Sequence, residues 1–232
     1  MAGRSVPFQL LVPPTDVPGP RPLVVFLHGA GQRGADNQAQ LTWLGHAMAA
    51  PDMVRRYPCF LLAVQCPSDH MWVNVPWSEA TSQPWLAQPS PGLRAAEEAL
   101  DLVLRQHEVR VDLERVYLTG LSMGGFGTWD WAMRDPKRFA AIVPVCGGGD
   151  ERQAHRLGSL PVWAVHGAQD SVVPVQRSRA MVMALRALRQ PVRYTELPEV
   201  GHDAWLHAYG EDGVLSWMFA QDRRKQGGIQ RT

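Results

Sequence analysis

One stretch limits what this chain can fold into: Arg115-Val116-Tyr117-Leu118-Thr119-Gly120-Leu121-Ser122-Met123-Gly124-Gly125-Phe126-Gly127-Thr128-Trp129. It opens as a β-rich apolar run and continues as an apolar-periodic helix, with Ser122 between them in a G-x-S-x-G arrangement. A strand that turns straight into a helix leaves almost no room. The residues two before and two after the serine must therefore lack a Cβ, and Gly120 and Gly124 do. Such a turn strains the serine backbone and points the hydroxyl outward. The helix N-terminus beneath it favours a developing anion. As a bare five-residue pattern, Gly-Leu-Ser-Met-Gly is only a small-residue turn. The strand before it and the helix after it make Ser122 a candidate nucleophile.

The rest of the chain alternates in the same way. The fully apolar run at 23–27 reads as a strand covered on both faces, as in a parallel sheet, 60–64 as a second buried strand, and 139–145 and 160–166 as later strands. Residues 6–12 and 192–197 read as further strands. Helices are expected over 41–50, 92–107, from the serine to about 134, over 175–189 and over 205–220. The sequence predicts an α/β fold with a mostly parallel central sheet, right-handed crossovers and helices on both faces. Its ligands bind at the carboxyl ends of the strands. His28-Gly29, Ser122, Asp150, Asp170 and His202 all follow strand ends.

The chain has 232 residues, 45% of them hydrophobic, which suits one domain over 1–232 with a single large core. Residues 1–21 are expected to form an N-terminal strand and a Pro-rich loop, and 221–232 a frayed tail. A net charge of +1 argues against nucleic acid and anionic membranes as partners. The apolar runs are far shorter than the about 20 residues that span a bilayer. The N-terminus lacks the apolar core of a signal peptide, which points to the cytoplasm. Cys59, Cys66 and Cys146 match no zinc spacing and read as buried thiols, so neither metal nor cofactor is expected.

A serine hydroxyl needs a base to take its proton, and the base needs an orienting acid. Here the order is Ser122, then a carboxylate at a later strand end, then a histidine near the C-terminus, the order a nucleophile elbow requires. Asp170, in the turn His166-Gly167-Ala168-Gln169-Asp170, is the preferred acid; it could instead cap the next helix. Asp150 is its rival. His202, in a glycine-containing loop, is the preferred base, while His28 is expected to shape the loop after its strand. The backbone N–H groups of Met123 and Ala30 would serve a developing oxyanion, with Gly29 and Gly31 letting the loop approach the serine.

With Leu27-His28-Gly29-Ala30-Gly31, Gly120-Leu121-Ser122-Met123-Gly124-Gly125, His166-Gly167-Ala168-Gln169-Asp170 and Gly201-His202-Asp203 in this order, the chain resembles an α/β-hydrolase. More narrowly it resembles the compact carboxylesterase and predicted-peptidase branch, with polyhydroxybutyrate-depolymerase-like and feruloyl-esterase-like proteins. The resemblance covers about residues 22–220. It implies a Ser122–His202–Asp170 triad, Ala30 and Met123 as oxyanion donors, and a small-molecule ester substrate. Two departures stand out. Only one strand precedes residue 23, and no large lid is inserted between 145 and 160.

The proline-rich segment 66–91 is long for a loop without regular structure, which marks it as functional. It carries Trp72, Trp77 and Trp85. With Trp205 behind His202, Trp43 after the oxyanion loop, and Gly29, they are candidate substrate contacts for flat apolar or sugar-like groups. At least one of Trp72, Trp77 and Trp85 is expected to line the site. Arg33 and Asp36 are expected to pair with each other. The expected activity is hydrolysis of small or aryl- or sugar-linked acyl esters. The alternatives are an oligopeptidase-type serine peptidase and an inactive hydrolase fold used for binding.

Overall fold

The computed structural model describes residues 6–16, 18–210 and 213–226. Their chain order begins with strands β1 (Phe8–Leu11) and β2 (Arg21–Leu27), then helices α1 (Leu44–Ala49) and α2 (Pro51–Arg56), then β3 (Phe60–Val64) and α3 (Pro91–Gln106). Strand β4 (Val111–Leu121) leads into α4 (Met123–Arg134), followed by β5 (Ala141–Val145), β6 (Val162–Gly167), α5 (Gln176–Ala187) and β7 (Val192–Leu197). Short helices α6 (Trp205–Ala208), α7 (Val214–Phe219) and α8 (Arg223–Gln226) complete the described chain.

The seven strands form one sheet in the order β1-β3-β2-β4-β5-β6-β7. Every pairing is parallel except that of β1, which runs antiparallel to β3 with Phe8 opposite Val64. The strand period of two explains the packing. Leu23, Val25 and Leu27 face one buried cluster with Leu93, Trp129 and Met181 from α3, α4 and α5. Val24 and Phe26 face the other, with Leu44, Met48, Leu215 and Met218 from α1 and α7. Helices therefore cover both faces, as the unbroken apolar strands require.

Several boundaries differ from expectation. Strand β4 is eleven residues long and begins at Val111, which pairs with Arg21. The helix expected over 41–50 starts only at Leu44, because Trp43 has φ 72°. That helix ends before Pro51, as its expected range has it, and a second helix not expected from the sequence, α2, opens on Pro51. The closing helix is divided into α6 and α7, because the chain packs Gly213 against the end of α6. A Cβ at Gly213 would lie 2.0 Å from the Ala208 carbonyl oxygen. The tail is not frayed where it is described: Arg223 pairs with Glu114, Arg224 with Asp112, and Gln226 Nε2 donates to Ala140 O at 2.8 Å. Residues 227–232 lie outside the described residues.

Between β5 and β6 the chain carries only a 3-10 run, Glu151–Leu157. The carboxyl ends of the strands are not roofed from there. All three cysteines are free and buried. Among the described residues, no helix is long and apolar enough to cross a membrane.

Candidate active site

The turn at Ser122 is as tight as its sequence demands. A Cβ on Gly120 would lie 2.4 Å from Gly124 O, and one on Gly124 would lie 1.9 Å from Leu27 O. Gly124 is thus required by the neighbouring strand β2 as well as by the turn. Ser122 sits at φ 54°, ψ −119°, a region costing a non-glycine residue roughly 1–3 kcal/mol. Its N–H donates to Val145 O at 2.9 Å, which ties the turn to the end of β5.

The loops after β6 and β7 bring two more side chains to this point. Ala168 N donates to Leu197 O and Gln169 N to Val200 O, so the two loops are stitched together. They also touch closely: a Cβ on Gly167 would lie 2.1 Å from Gly201 O. As a result His202 Nδ1 lies 2.7 Å from Asp170 Oδ2, and His202 Nε2 lies 2.8 Å from Ser122 Oγ. The Asp170 side chain is fully buried and that of His202 is 20% exposed.

Burial pushes the Asp170 carboxyl up, but hydrogen bonds outweigh it and hold the group well below the usual carboxylate range. The donors are His166, His202 and the N–H groups of Val173 and Val172. Asp170 Oδ1 accepts from Val172 N at 2.9 Å and from Val173 N at 2.8 Å. Oδ1 thus closes the turn at 172–173 while Oδ2 meets His202; the alternative of capping the next helix is not realised, because α5 is capped at Val175 without a side-chain bond. An ionised carboxylate only accepts, so His202 carries its hydrogen on Nδ1 and presents a bare Nε2 to Ser122.

His166 has a larger part than a strand-end residue. Its Nε2 lies 3.2 Å from Asp170 Oδ2 and 3.0 Å from Val173 O, and its Nδ1 lies 2.8 Å from Ser178 Oγ. Facing two acceptors, Nε2 carries a hydrogen. The sequence signal was its position four residues before Asp170 across a turn.

Asp150, the rival acid, is elsewhere. It accepts from Arg152 Nε at 2.6 Å and from Trp85 N at 2.9 Å. It lines a separate cavity of about 20 Å³ with Trp85, Asp130 and Arg177, room for little more than one water.

The loop after β2 forms another wall. His28 Nδ1 donates to Gly29 O at 2.6 Å, its Nε2 accepts from Cys66 N at 2.9 Å, and its own carbonyl accepts from Trp72 Nε1 at 2.9 Å. Burial pushes its pKa down to about 4, so it is neutral in this role. Arg33 does not pair with Asp36. Arg33 Nε donates to Ala30 O at 3.0 Å, whereas Asp36 accepts from the N–H groups of Gln38 and Ala39 and from Gln65 Nε2. Both side chains brace loops. Met123 opens α4 directly after Ser122, and Ala30 opens a short 3-10 turn beside it.

Ser122 and His202 lie in an open cleft of about 240 Å³ whose walls include Gly29, Ala30, Trp43, Trp77 and Trp205. The structure does not bring Trp72 or Trp85 there. Trp72 is wholly buried under the loop after β2, held by its bond to His28 O and packed against α4 at Gly127. Trp85 is pinned by Asp130 at 2.8 Å and stacked between the guanidinium groups of Arg134 and Arg156. Of the three loop tryptophans, Trp77 alone lines the cleft.

Among the described residues, Cys146, Asp170 and His202 bring three potential ligand atoms within 4.8 Å of one another. Burial pushes the Cys146 thiol up to about 12, which disfavours the thiolate a metal would need.

The sheet order and the strand–turn–helix at Ser122 define an α/β-hydrolase. Within that class the chain belongs to the phospholipase/carboxylesterase family, which it matches over residues 18–211. It is 38% identical to a thermostable esterase of known crystal structure, with a TM-score of 0.83 over 94% of this chain and 60% of that one. Esterase PE8 is 23% identical, with a TM-score of 0.61 over 93% of this chain and 97% of that one, a likeness of fold. The bifunctional acetylxylan esterase/xylanase XynS20E from Neocallimastix patriciarum is 23% identical over 176 residues, 76% of this chain and 23% of that protein. The chain spans half or less of the length of the curated relatives it matches.

Proposed function

We propose that the protein is a serine ester hydrolase of the carboxylesterase type, with Ser122 as nucleophile, His202 as base and Asp170 as orienting acid. The observation that carries this reading is the unbroken relay from Ser122 Oγ to His202 Nε2 at 2.8 Å and from His202 Nδ1 to Asp170 Oδ2 at 2.7 Å. Membership of the phospholipase/carboxylesterase family supports an ester substrate.

In this mechanism Ser122 Oγ attacks the acyl carbonyl carbon as its proton passes to His202 Nε2. The imidazolium is stabilised by Asp170, which stays ionised. The oxyanion forms beside the backbone N–H groups of Ala30 and Met123, the second of them at a helix N-terminus. His202 then protonates the departing alcohol. Water, deprotonated by His202, attacks the acyl-enzyme and releases the acid. The uncapped cleft suits small or aryl- or sugar-linked acyl esters.

The test is a panel of p-nitrophenyl acyl esters, acetylated xylan, methyl ferulate and peptide anilides, run with wild type and Ser122→Ala. Ester turnover by the wild type is expected, with kcat reduced at least ~10⁴-fold in the variant. Peptide cleavage without ester cleavage would replace this reading with a peptidase.

A further inference from the structure

The ester-hydrolase reading leaves open what the cleft holds beside the scissile bond. Trp43 bears on that question. Its backbone lies at φ 72°, ψ −104°, close to the strained conformation of Ser122 at φ 54°, ψ −119°. Bulky residues avoid this region, which glycine enters freely. Burial does not explain the strain, because Trp43 is 40% exposed and its ring opens on the cleft. Strain held at an exposed aromatic side chain points to a ligand contact.

The surroundings of Trp43 narrow the ligand. Its ring lies 5.9 Å from that of Trp205, and Trp205 lies edge-on 5.2 Å from the His202 ring. An aromatic row therefore leads from the base histidine outward. Trp205 Nε1 is shielded from solvent and finds no hydrogen-bond partner among the described residues. Trp77 lines the same cleft, with Leu121 and Val172. Among the described wall residues, the polar side chains are Gln32, Ser122 and His202, and no Lys, Arg, Asp or Glu is present. Such walls fit a neutral, flat ring.

We propose that Trp43, Trp77 and Trp205 form an aromatic subsite for the ring of an uncharged, aryl-bearing ester, with Trp43 as the residue that selects it. This rests on the cleft being the esterase site. Two isostere pairs test it, each an aromatic ester against its saturated-ring counterpart: benzyl acetate with cyclohexylmethyl acetate, and methyl phenylacetate with methyl cyclohexylacetate. The first pair places the ring on the alcohol side and the second on the acyl side. Wild type is expected to favour the aromatic member of at least one pair by about two- to tenfold in kcat/KM. In Trp43→Gly, whose backbone the strained position accommodates, that ratio falls to near one. Trp205→Leu lowers it as well, so the result does not depend on one variant. Thermal melts establish that each variant is folded.

Binding of the same four esters to Ser122→Ala, followed by tryptophan fluorescence, reads the preference without turnover. An aromatic preference in binding with no hydrolysis by wild type would uphold the subsite and sink the esterase reading. Equal binding and equal turnover within both pairs, or a ratio unaltered in Trp43→Gly, would overturn the subsite.

Discussion

Asp170 receives four hydrogen-bond donors, and two of them are histidines on different strand ends. The carboxylate that orients His202 is itself held by His166, whose ring is completely buried. A hydrogen bond to a charged group contributes about 1.5–3 kcal/mol. His166→Phe is accordingly expected to lower kcat roughly tenfold with little change in KM, measured by steady-state ester hydrolysis. An unchanged kcat in a folded variant would limit His166 to a packing role. His28 predicts a pH effect on stability. In the folded chain its pKa is about 4 against an ordinary 6.5, so the unfolded chain binds the extra proton between those values. Stability from this group is present above pH 6.5 and is lost as pH falls toward 4, by about 3 kcal/mol in all. Denaturant unfolding of wild type and His28→Gln across this window should show the wild type losing more. Parallel curves would contradict it. Both histidines stand in the sequence as strand-end residues, and His166 shows there only its spacing to Asp170 across a turn. Its further partners, Val173 O and Ser178 Oγ, fold back over it, which no local pattern reveals.

At the scale of the element, the turn from β4 to α4 is the part most fully legible in the sequence. Two glycines around a serine admit few other solutions, and the contacts explain why. The element also separates essential glycines from permissive ones. Gly124→Ala would press a Cβ to 1.9 Å from Leu27 O, whereas a Cβ at Gly31 meets nothing within 4 Å. Gly124→Ala is expected to destabilise by more than about 4 kcal/mol and Gly31→Ala by less than about 0.5 kcal/mol, as measured by thermal melts. Equal melts would show that the turn relaxes. The tryptophan-bearing loop at 66–91 was less legible. Its length marks it as functional, but a tryptophan there can serve the body or the cleft equally well. Acceptors on other elements decide: His28 O takes Trp72, Asp130 takes Trp85, and Trp77 is left facing the cleft. The strain at Trp43 was hidden for a related reason, since a positive φ has no signature in a tryptophan.

Across the whole molecule, the parallel sheet follows from runs that are apolar without alternation, and the two buried clusters show both faces covered. The chain order of serine, aspartate and histidine is carried by separate strand ends, so the site depends on the sheet order β2-β4-β5-β6-β7 being correct. What the sequence misplaced lies at the periphery. The tail beyond residue 220 reads as charged and loose, yet its arginines find Glu114 and Asp112 on the extended start of β4. Those acidic residues are about a hundred positions away, and β4 begins earlier than its apolar core suggests because Val111 pairs with Arg21 of β2. The proposed triad joins three of these strand ends, and reactivity at Ser122 tests it most directly. Wild type, His202→Ala and Ser122→Ala should each be treated with a fluorophosphonate probe, and the labelled residue located by peptide mass spectrometry. A working triad predicts rapid labelling at Ser122 in wild type, slow labelling in His202→Ala and none in Ser122→Ala. An unlabelled wild type, or label on a different residue, would contradict it.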